Sequence, residues 1–232
     1  MITRDNLSKM LFFDIETAGQ ENDNVGFLQK DAEGHHIFEK KSERLGYSDV
    51  TSGYYNKAGL FPEFGRIVCV SYGMWFGPGD YRIATVSDEN ERDLCQKIAN
   101  LFHTSYSKDY VPVGWNIKNY DVPWLFRKML MHGIQVPYLL NSFGKKPWEM
   151  NLIDLKDMWK GGSNLDVTFE EACYAMGISN PKNILGGENV HRSYHEGDIA
   201  TIVEYCEADV KSMIELVEKI HNIYANPIVK NA

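Results

Sequence analysis

Cysteine is scarce in this chain of 232 residues: there are four, at positions 69, 95, 173 and 206. They lie far apart and form no Cys-x-x-Cys pair, which argues against a structural zinc site and makes reduced thiols the expectation. No apolar run approaches the ~20 residues of a membrane span, and the opening "MITRDNLSKM" has no apolar signal core. A cytoplasmic protein with no membrane partner is therefore expected. Positive charge is also in deficit, with a net charge of −8. That balance counts against coating long stretches of nucleic acid. It counts less against gripping a short strand end, because bound divalent metals reverse the local sign. Internal repeats, low-complexity tracts and obvious linkers are absent.

What is present is ordinary globular composition, 44% hydrophobic and 24% charged, in a length that fits one well-filled domain over residues 1–232. "MLFFDIET" reads as a first strand. Residues from about 19 to 62 form a polar, glycine-containing insertion, with a hairpin expected around "EGHHIF". "RIVCVSYGMWF" and "DYRIATV", separated by "GPGD", read as a β-hairpin. "DENERDLCQKIANLF" has the cap and apolar spacing of a helix. "YVPVGWN" is a further strand, and "VPWLFRKMLMHG" is a helix stopping at Gly133. "LIDLKDMW" reads as a short strand entering a helix, and "DVTFEEACYAMG" as a capped helix. The last helix, "DIATIVEYCEADVKSMIELVEKIHNIY", carries Ile199, Ile202, Val203, Cys206, Val210, Met213, Ile214 and Val217 on one apolar face. Antiparallel strands followed by alternating helices and a strand predict an α/β fold, a mixed β-sheet flanked by α-helices.

Three acidic placements depart from this pattern. In "LFFDIET", Asp14 and Glu16 share one face of a strand while Phe13 and Ile15 take the other. Paired carboxylates resist ionising together, and a hard cation such as Mg²⁺ or Mn²⁺ relieves the repulsion. A solvated edge strand accounts for them equally well. In "GWNIKNYDVPWL", Asp121 opens a helix just after a strand ends, where it serves either as a simple N-cap or as a ligand. Asn116 there offers an amide for a sugar or phosphate oxygen. In "EYCEAD", Tyr205 and Asp209 stand four apart on the border of the apolar stripe, as an intrahelical hydrogen bond or as part of a metal site.

Taken in order, Asp14-x-Glu16, Asn116-x₃-Tyr120-Asp121 and Tyr205-x₃-Asp209 resemble the three motifs of the DEDD, or DnaQ-like, 3′–5′ exonucleases of the ribonuclease H-like fold. "NIKNYDVPWL" is similar to the second motif in the exonuclease domains of family B DNA polymerases. With "LFPEFGRIVCVSYG", "MGISNPKN" and "IVEYCEADV", the chain resembles the stand-alone predicted 3′–5′ exonucleases related to the exonuclease domain of PolB, from about Phe12 to Leu216. The family normally has Phe where Tyr120 stands. Glu204 occupies the position that is histidine in another branch, so the resemblance is to the tyrosine subtype. It implies two divalent ions, Mg²⁺ or Mn²⁺, about 4 Å apart, held by Asp14, Glu16, Asp121 and Asp209. Tyr205 would orient the attacking water, and Thr17, Asn116 and Tyr120 would meet the substrate. The implied substrate is the 3′ end of single-stranded DNA.

Other residues divide less cleanly. Trp115 and Trp124 are expected in the core rather than stacked on bases. Lys118, Arg127, Lys128, Lys145, Lys146, Lys156 and Lys160 form either a phosphate track or a solvated face. Lys182 is a candidate contact near the cleft. His35 and His36 are expected at the surface, and His191 and His195 flank the loop before the last helix. Two other functions fit the residues: an RNA-trimming exoribonuclease, and a catalytically retired nucleic-acid-binding module that docks on a polymerase or repair complex. Polymerase activity is not expected, since only "HNIYANPIVKNA" follows the last motif.

Overall fold

The computed structural model describes residues 4–146 and 149–225, so most of the tail after the last motif lies outside the described residues. In chain order the first elements are a helical turn α1 (Arg4–Leu7) and strand β1 (Met10–Gly19). Helices α2 (Asn24–Lys30), α3 (Ala32–Leu45) and α4 (Val50–Lys57) follow, ending in a 3₁₀ turn at Ala58–Leu60. A hairpin of β2 (Gly65–Gly77) and β3 (Asp80–Ser87) leads to α5 (Glu91–Ser107), β4 (Val111–Gly114) and α6 (Asp121–Met131). The second half contains β5 (Ile153–Asp154), α7 (Leu155–Lys160), α8 (Phe169–Met176), α9 (Val190–His195) and the long α10 (Ile199–Ala225).

The sheet runs β3-β2-β1-β4-β5. Its first three strands are antiparallel and the last three parallel, the mixed α/β arrangement expected. Alternation along β1 explains how the sheet is covered. Leu11, Phe13 and Ile15 face a core shared with Leu94, Ile98 and Phe102 of α5 and Val122 and Leu125 of α6. Met10 and Phe12 face the other way, onto Val210, Met213, Ile214 and Val217 of α10. Asp14 and Glu16 continue this second series, so the period of the strand alone turns both acids toward α10.

The insertion departs from the sequence reading. "EGHHIF" lies within α3 and forms no hairpin. The three helices pack Phe27, Phe38 and Tyr54 with Ala58 and Phe64 into a small aromatic core of their own. Each helix begins on an aspartate whose side chain takes a free backbone N–H: Asp23 from Gly26, Asp31 from Gly34, and Asp49 from Thr51 and Ser52. His35, expected at the surface, is buried beside Phe27.

β1 is longer than its parallel neighbour. β4 pairs only with Met10–Phe12, so beyond Phe12 that edge of β1 is open. The chain leaves β4 at Gly114, where a Cβ would lie 2.3 Å from Ile117 Cγ2 and 2.7 Å from the Phe13 carbonyl oxygen. Asn116 then adopts φ 60, a left-handed conformation that asparagine tolerates better than most residues. Buried Asp154 holds the turn, its carboxylate accepting from Asn116 N at 2.9 Å and Lys118 N at 3.0 Å. Gly114→Ala should destabilise the chain by about 1–3 kcal/mol through overpacking against backbone. Gly77→Ala, where a Cβ meets nothing within 4 Å, should be near neutral. Urea unfolding of the two variants checks the contrast.

Candidate active site

The open edge of β1 is where the acidic residues gather. Asp121 sits in the first turn of α6 and not at the cap position, which Tyr120 holds. Oδ1 of Asp121 accepts the Ile15 N–H at 3.2 Å, filling the place of the missing strand. From the other face α10 brings Tyr205, Cys206 and Asp209, spaced so that all three lie toward β1. The result is a pocket of about 200 Å³ lined by Asp14, Glu16, Asn116, Tyr120, Asp121, Tyr205 and Asp209, with Trp115, Phe169 and Met213 as its apolar wall. Seven of the eight residues anticipated from the sequence therefore line one cavity. The eighth, Thr17, lines an adjoining cavity of about 240 Å³ that shares Ile15, Glu16 and Tyr120 and extends to Tyr55, Leu60, Glu188 and His191.

The electrostatics of the pocket are those of anions out of water. Burial, then Asp209 and Asp121, push the Asp14 carboxyl well above the ordinary range. Burial and Asp14 do the same to Glu16. Asp121 and Asp209 are each pushed up to about 7, chiefly by burial. Hydrogen bonds from the Asp121 and Ile15 N–H groups partly offset the shift at Asp121, and Tyr205 and then Lys182 do so at Asp209. Burial and Asp209 raise the Tyr205 hydroxyl far above the phenol range. Glu16 is only 8% exposed, and among the described residues no protein donor reaches its carboxylate. A buried, unpartnered carboxylate among like charges is the donor set of a cation site. Asp14, Glu16 and Cys206 each bring a ligand atom within 4.8 Å of the other two.

A family model described as "Predicted 3'-5' exonuclease related to the exonuclease domain of PolB" matches residues 60–215. The chain belongs to this family. The matched span of the PolB-related exonuclease family contains Asp121, Tyr205 and Asp209, and β1 brings Asp14 and Glu16 to the same pocket from outside it. Among solved structures, the chain is similar to the family B DNA polymerase from the hyperthermophilic archaeon Pyrobaculum calidifontis, with a TM-score of 0.59 and 17% identity. That match covers 91% of this chain and 24% of the polymerase. At this identity the likeness establishes the fold, and the ribonuclease H-like architecture expected from the motifs stands. No curated protein matches.

Against this family frame, several sequence readings need correction. Trp124 is core, 1% exposed; Trp115 is half-buried against two core clusters as expected and also lines the pocket, its ring 5.1 Å from that of Phe169. Four of the seven basic residues of the middle of the chain pair with carboxylates of the same chain. Lys128 is buried on Glu91, and Lys118, Arg127 and Lys156 pair with Asp157, Glu63 and Asp166. Lys182 bonds Glu170 at 3.1 Å and is close enough to lower Asp209. His191 and His195 are on α9 and bond the end of β1: His191 Nδ1 accepts the Gly19 N–H, and His195 Nε2 donates to the Gly19 carbonyl. Asp154, Phe169 and Cys206 belong to the surroundings of the pocket and were missed. Asp154 had a visible signal, an acid two residues into an apolar run before a helix.

Tyr120, where the family has Phe, gains a specific contact. Its hydroxyl lies 2.7 Å from Thr17 Oγ1 and donates to the Gly59 carbonyl at 3.3 Å, while Thr17 Oγ1 donates to the same carbonyl at 2.7 Å. Tyr120→Phe should cost about 0.5–1.5 kcal/mol and loosen the Ala58–Leu60 turn, seen as faster amide exchange there. A second prediction concerns pH. The folded chain holds protons on Asp121 and Asp209 up to about 7, against 3.8 for an ordinary aspartate. The folded state therefore binds more protons than the unfolded state between these values, and stability falls as pH rises through that window. In chelator, the Asp121→Asn, Asp209→Asn double variant should gain melting temperature on the wild type from pH 4 to pH 8. A pH-independent difference counts against the buried acids.

Proposed function

We propose that this protein is a divalent-metal-dependent 3′–5′ exonuclease of the tyrosine subtype. It hydrolyses the terminal phosphodiester at 3′ ends of single-stranded DNA and releases nucleoside 5′-monophosphates. The observation that carries the reading is the convergence of four carboxylates, from a strand, a helix start and a late helix, in one pocket. The unpartnered Glu16 and the raised acids around it fit a cation. Asp14, Glu16, Asp121 and Asp209 would hold two ions, Mg²⁺ or Mn²⁺. Bound there, the ions supply the positive charge and the acidified water that hydrolysis of an anionic ester requires.

The chain's own residues account for the rest. Burial keeps the Tyr205 hydroxyl protonated, so it acts as a donor that orients water and not as the base. Glu204, at the position that is histidine in the other branch, is exposed to solvent and takes no part. Trp115 and Phe169 form a tilted aromatic pair at the pocket wall, and a nucleobase stacked there gains about 1–3 kcal/mol. Asn116 lines the pocket, where it can take a sugar or phosphate oxygen. Thr17 and Tyr120, joined by their hydroxyls, line the passage to the adjoining cavity and bound the terminal nucleotide.

With Mg²⁺ or Mn²⁺, a 5′-labelled single-stranded DNA should shorten stepwise from its 3′ end. Asp14→Ala should reduce the rate by roughly 10³-fold, the loss of several kcal/mol of charge stabilisation. An RNA of the same sequence, run in parallel, should be cut more slowly, and a faster RNA reaction would reverse the substrate assignment. No cleavage of either polymer with any divalent ion would sink the enzymatic reading.

A further inference from the structure

The proposed hydrolysis leaves one group beside the acids unused, the thiol of Cys206, which lies behind Asp14. It is fully buried on α10, and its Sγ lies 3.5 Å from the Asp14 carbonyl oxygen and 3.5 Å from Asp14 Oδ2. With Glu16 it completes a group whose three ligand atoms all lie within 4.8 Å of one another. Around one tetrahedral ion, bonds of about 2.1 Å to oxygen and 2.3 Å to sulfur put ligand atoms roughly 3.4–3.8 Å apart. The Cys206–Asp14 separation already has this value. The third ligand needs a shift of only about 1 Å to reach the same geometry, and Glu16 is the carboxylate that no protein donor among the described residues restrains.

Hard ions such as Mg²⁺ take oxygen and leave thiols alone, whereas Zn²⁺ and Cd²⁺ prefer sulfur. We propose that Asp14, Glu16 and Cys206 form a tight site for a thiophilic divalent ion, Zn²⁺ or Cd²⁺, which shares two carboxylates with the hard-ion arrangement and therefore excludes it. Forming the metal–sulfur bond breaks the S–H bond and releases its proton to solvent. Three anionic ligands leave a fourth position open toward the pocket. An ion there holds Asp14 and Glu16 at the sulfur and away from Asp121 and Asp209. The inhibition that follows rests on the exonuclease reading; the binding itself does not.

The test uses the full chain, freed of metal, and Cd²⁺ alone as the probe. Titration should give a saturable near-ultraviolet absorption from thiolate-to-cadmium charge transfer, with its midpoint moving to higher Cd²⁺ as Mn²⁺ is raised. The band should vanish in Cys206→Ala. Calorimetric Zn²⁺ affinity should fall by about tenfold or more in both Cys206→Ala and Cys206→Ser. A wild type without the band, a band that survives in a folded Cys206→Ala, or a midpoint indifferent to Mn²⁺ would each overturn the site. If neither variant folds, by circular dichroism, the Mn²⁺ competition in the wild type decides alone. A Cys206-dependent band in a chain that cuts no nucleic acid would refute the exonuclease and leave the metal site. Mg²⁺-dependent cleavage without a band would do the reverse.

Discussion

Mutual repulsion among four carboxylates, held where water is scarce, is the constraint that the rest of the structure serves. Left to itself such a cluster spreads apart or takes up protons. Here it cannot spread, because three parts of the fold fix the acids, and in the absence of a cation it takes up protons instead, Asp121 and Asp209 up to about 7. The period of β1 aims Asp14 and Glu16 at α10, the helical repeat of α10 returns Asp209, and the unpaired Ile15 N–H holds Asp121. The short β4 is what makes this possible. Had it run alongside β1 for its full length, the edge would be a completed ladder with no room for a side chain. The pocket therefore lies beyond the carboxyl end of a parallel strand pair, where α/β sheets commonly place their ligands.

Around the cluster, satisfied polar groups supply rigidity that the acids cannot. Asp154 uses its carboxylate on backbone N–H groups and so shapes the Asn116 turn without facing the pocket. The hydroxyls of Thr17 and Tyr120 meet at one carbonyl, that of Gly59. A Cβ at Gly59 would meet the Ala18 backbone at 3.2 Å, so the turn presses directly on β1. The insertion is tied to the strand carrying Asp14 and Glu16 by this contact and again through His191 of α9, which accepts the Gly19 N–H and donates to the Asn22 carbonyl. A departure from the family residue, Tyr for Phe, thus has a structural correlate in a segment that lies mostly ahead of the matched span.

The parts legible in the sequence were those governed by a single period. Strand alternation placed Asp14 and Glu16 together, helical spacing placed Tyr205 with Asp209, and the apolar face of α10 was read residue by residue. The insertion was obscure because its core rests on a few aromatics far apart in sequence, while its surface is polar. The aspartate starting each of its helices was the available clue. Charge was the least legible property. Lys128 and Arg127 look alike in a string, yet one is buried on Glu91 and the other exposed on Glu63, since pairing depends on elements that meet only in three dimensions. Cys206 was assigned to the apolar stripe, correctly by position, but period alone does not show that its neighbour across the interface is Asp14.

The paired cations bear on how an acidic chain meets an acidic polymer. Lys118, Arg127 and Lys156 spend their charge on carboxylates of the same molecule in surface pairs, which leave little field beyond a few ångströms in salt, and Lys128 is buried on Glu91. These four residues, so paired, add little to a long basic track. On the proposed reading the attraction is concentrated at the pocket itself, in the cations that the acids would hold; Lys182, near Asp209, is itself paired with Glu170. Recognition by so short a grip fits removal of terminal residues better than travel along an internal stretch. On that reading the choice of ion is decisive: the charge that would bind the phosphate and the charge that would relieve Asp14, Glu16, Asp121 and Asp209 are the same charge.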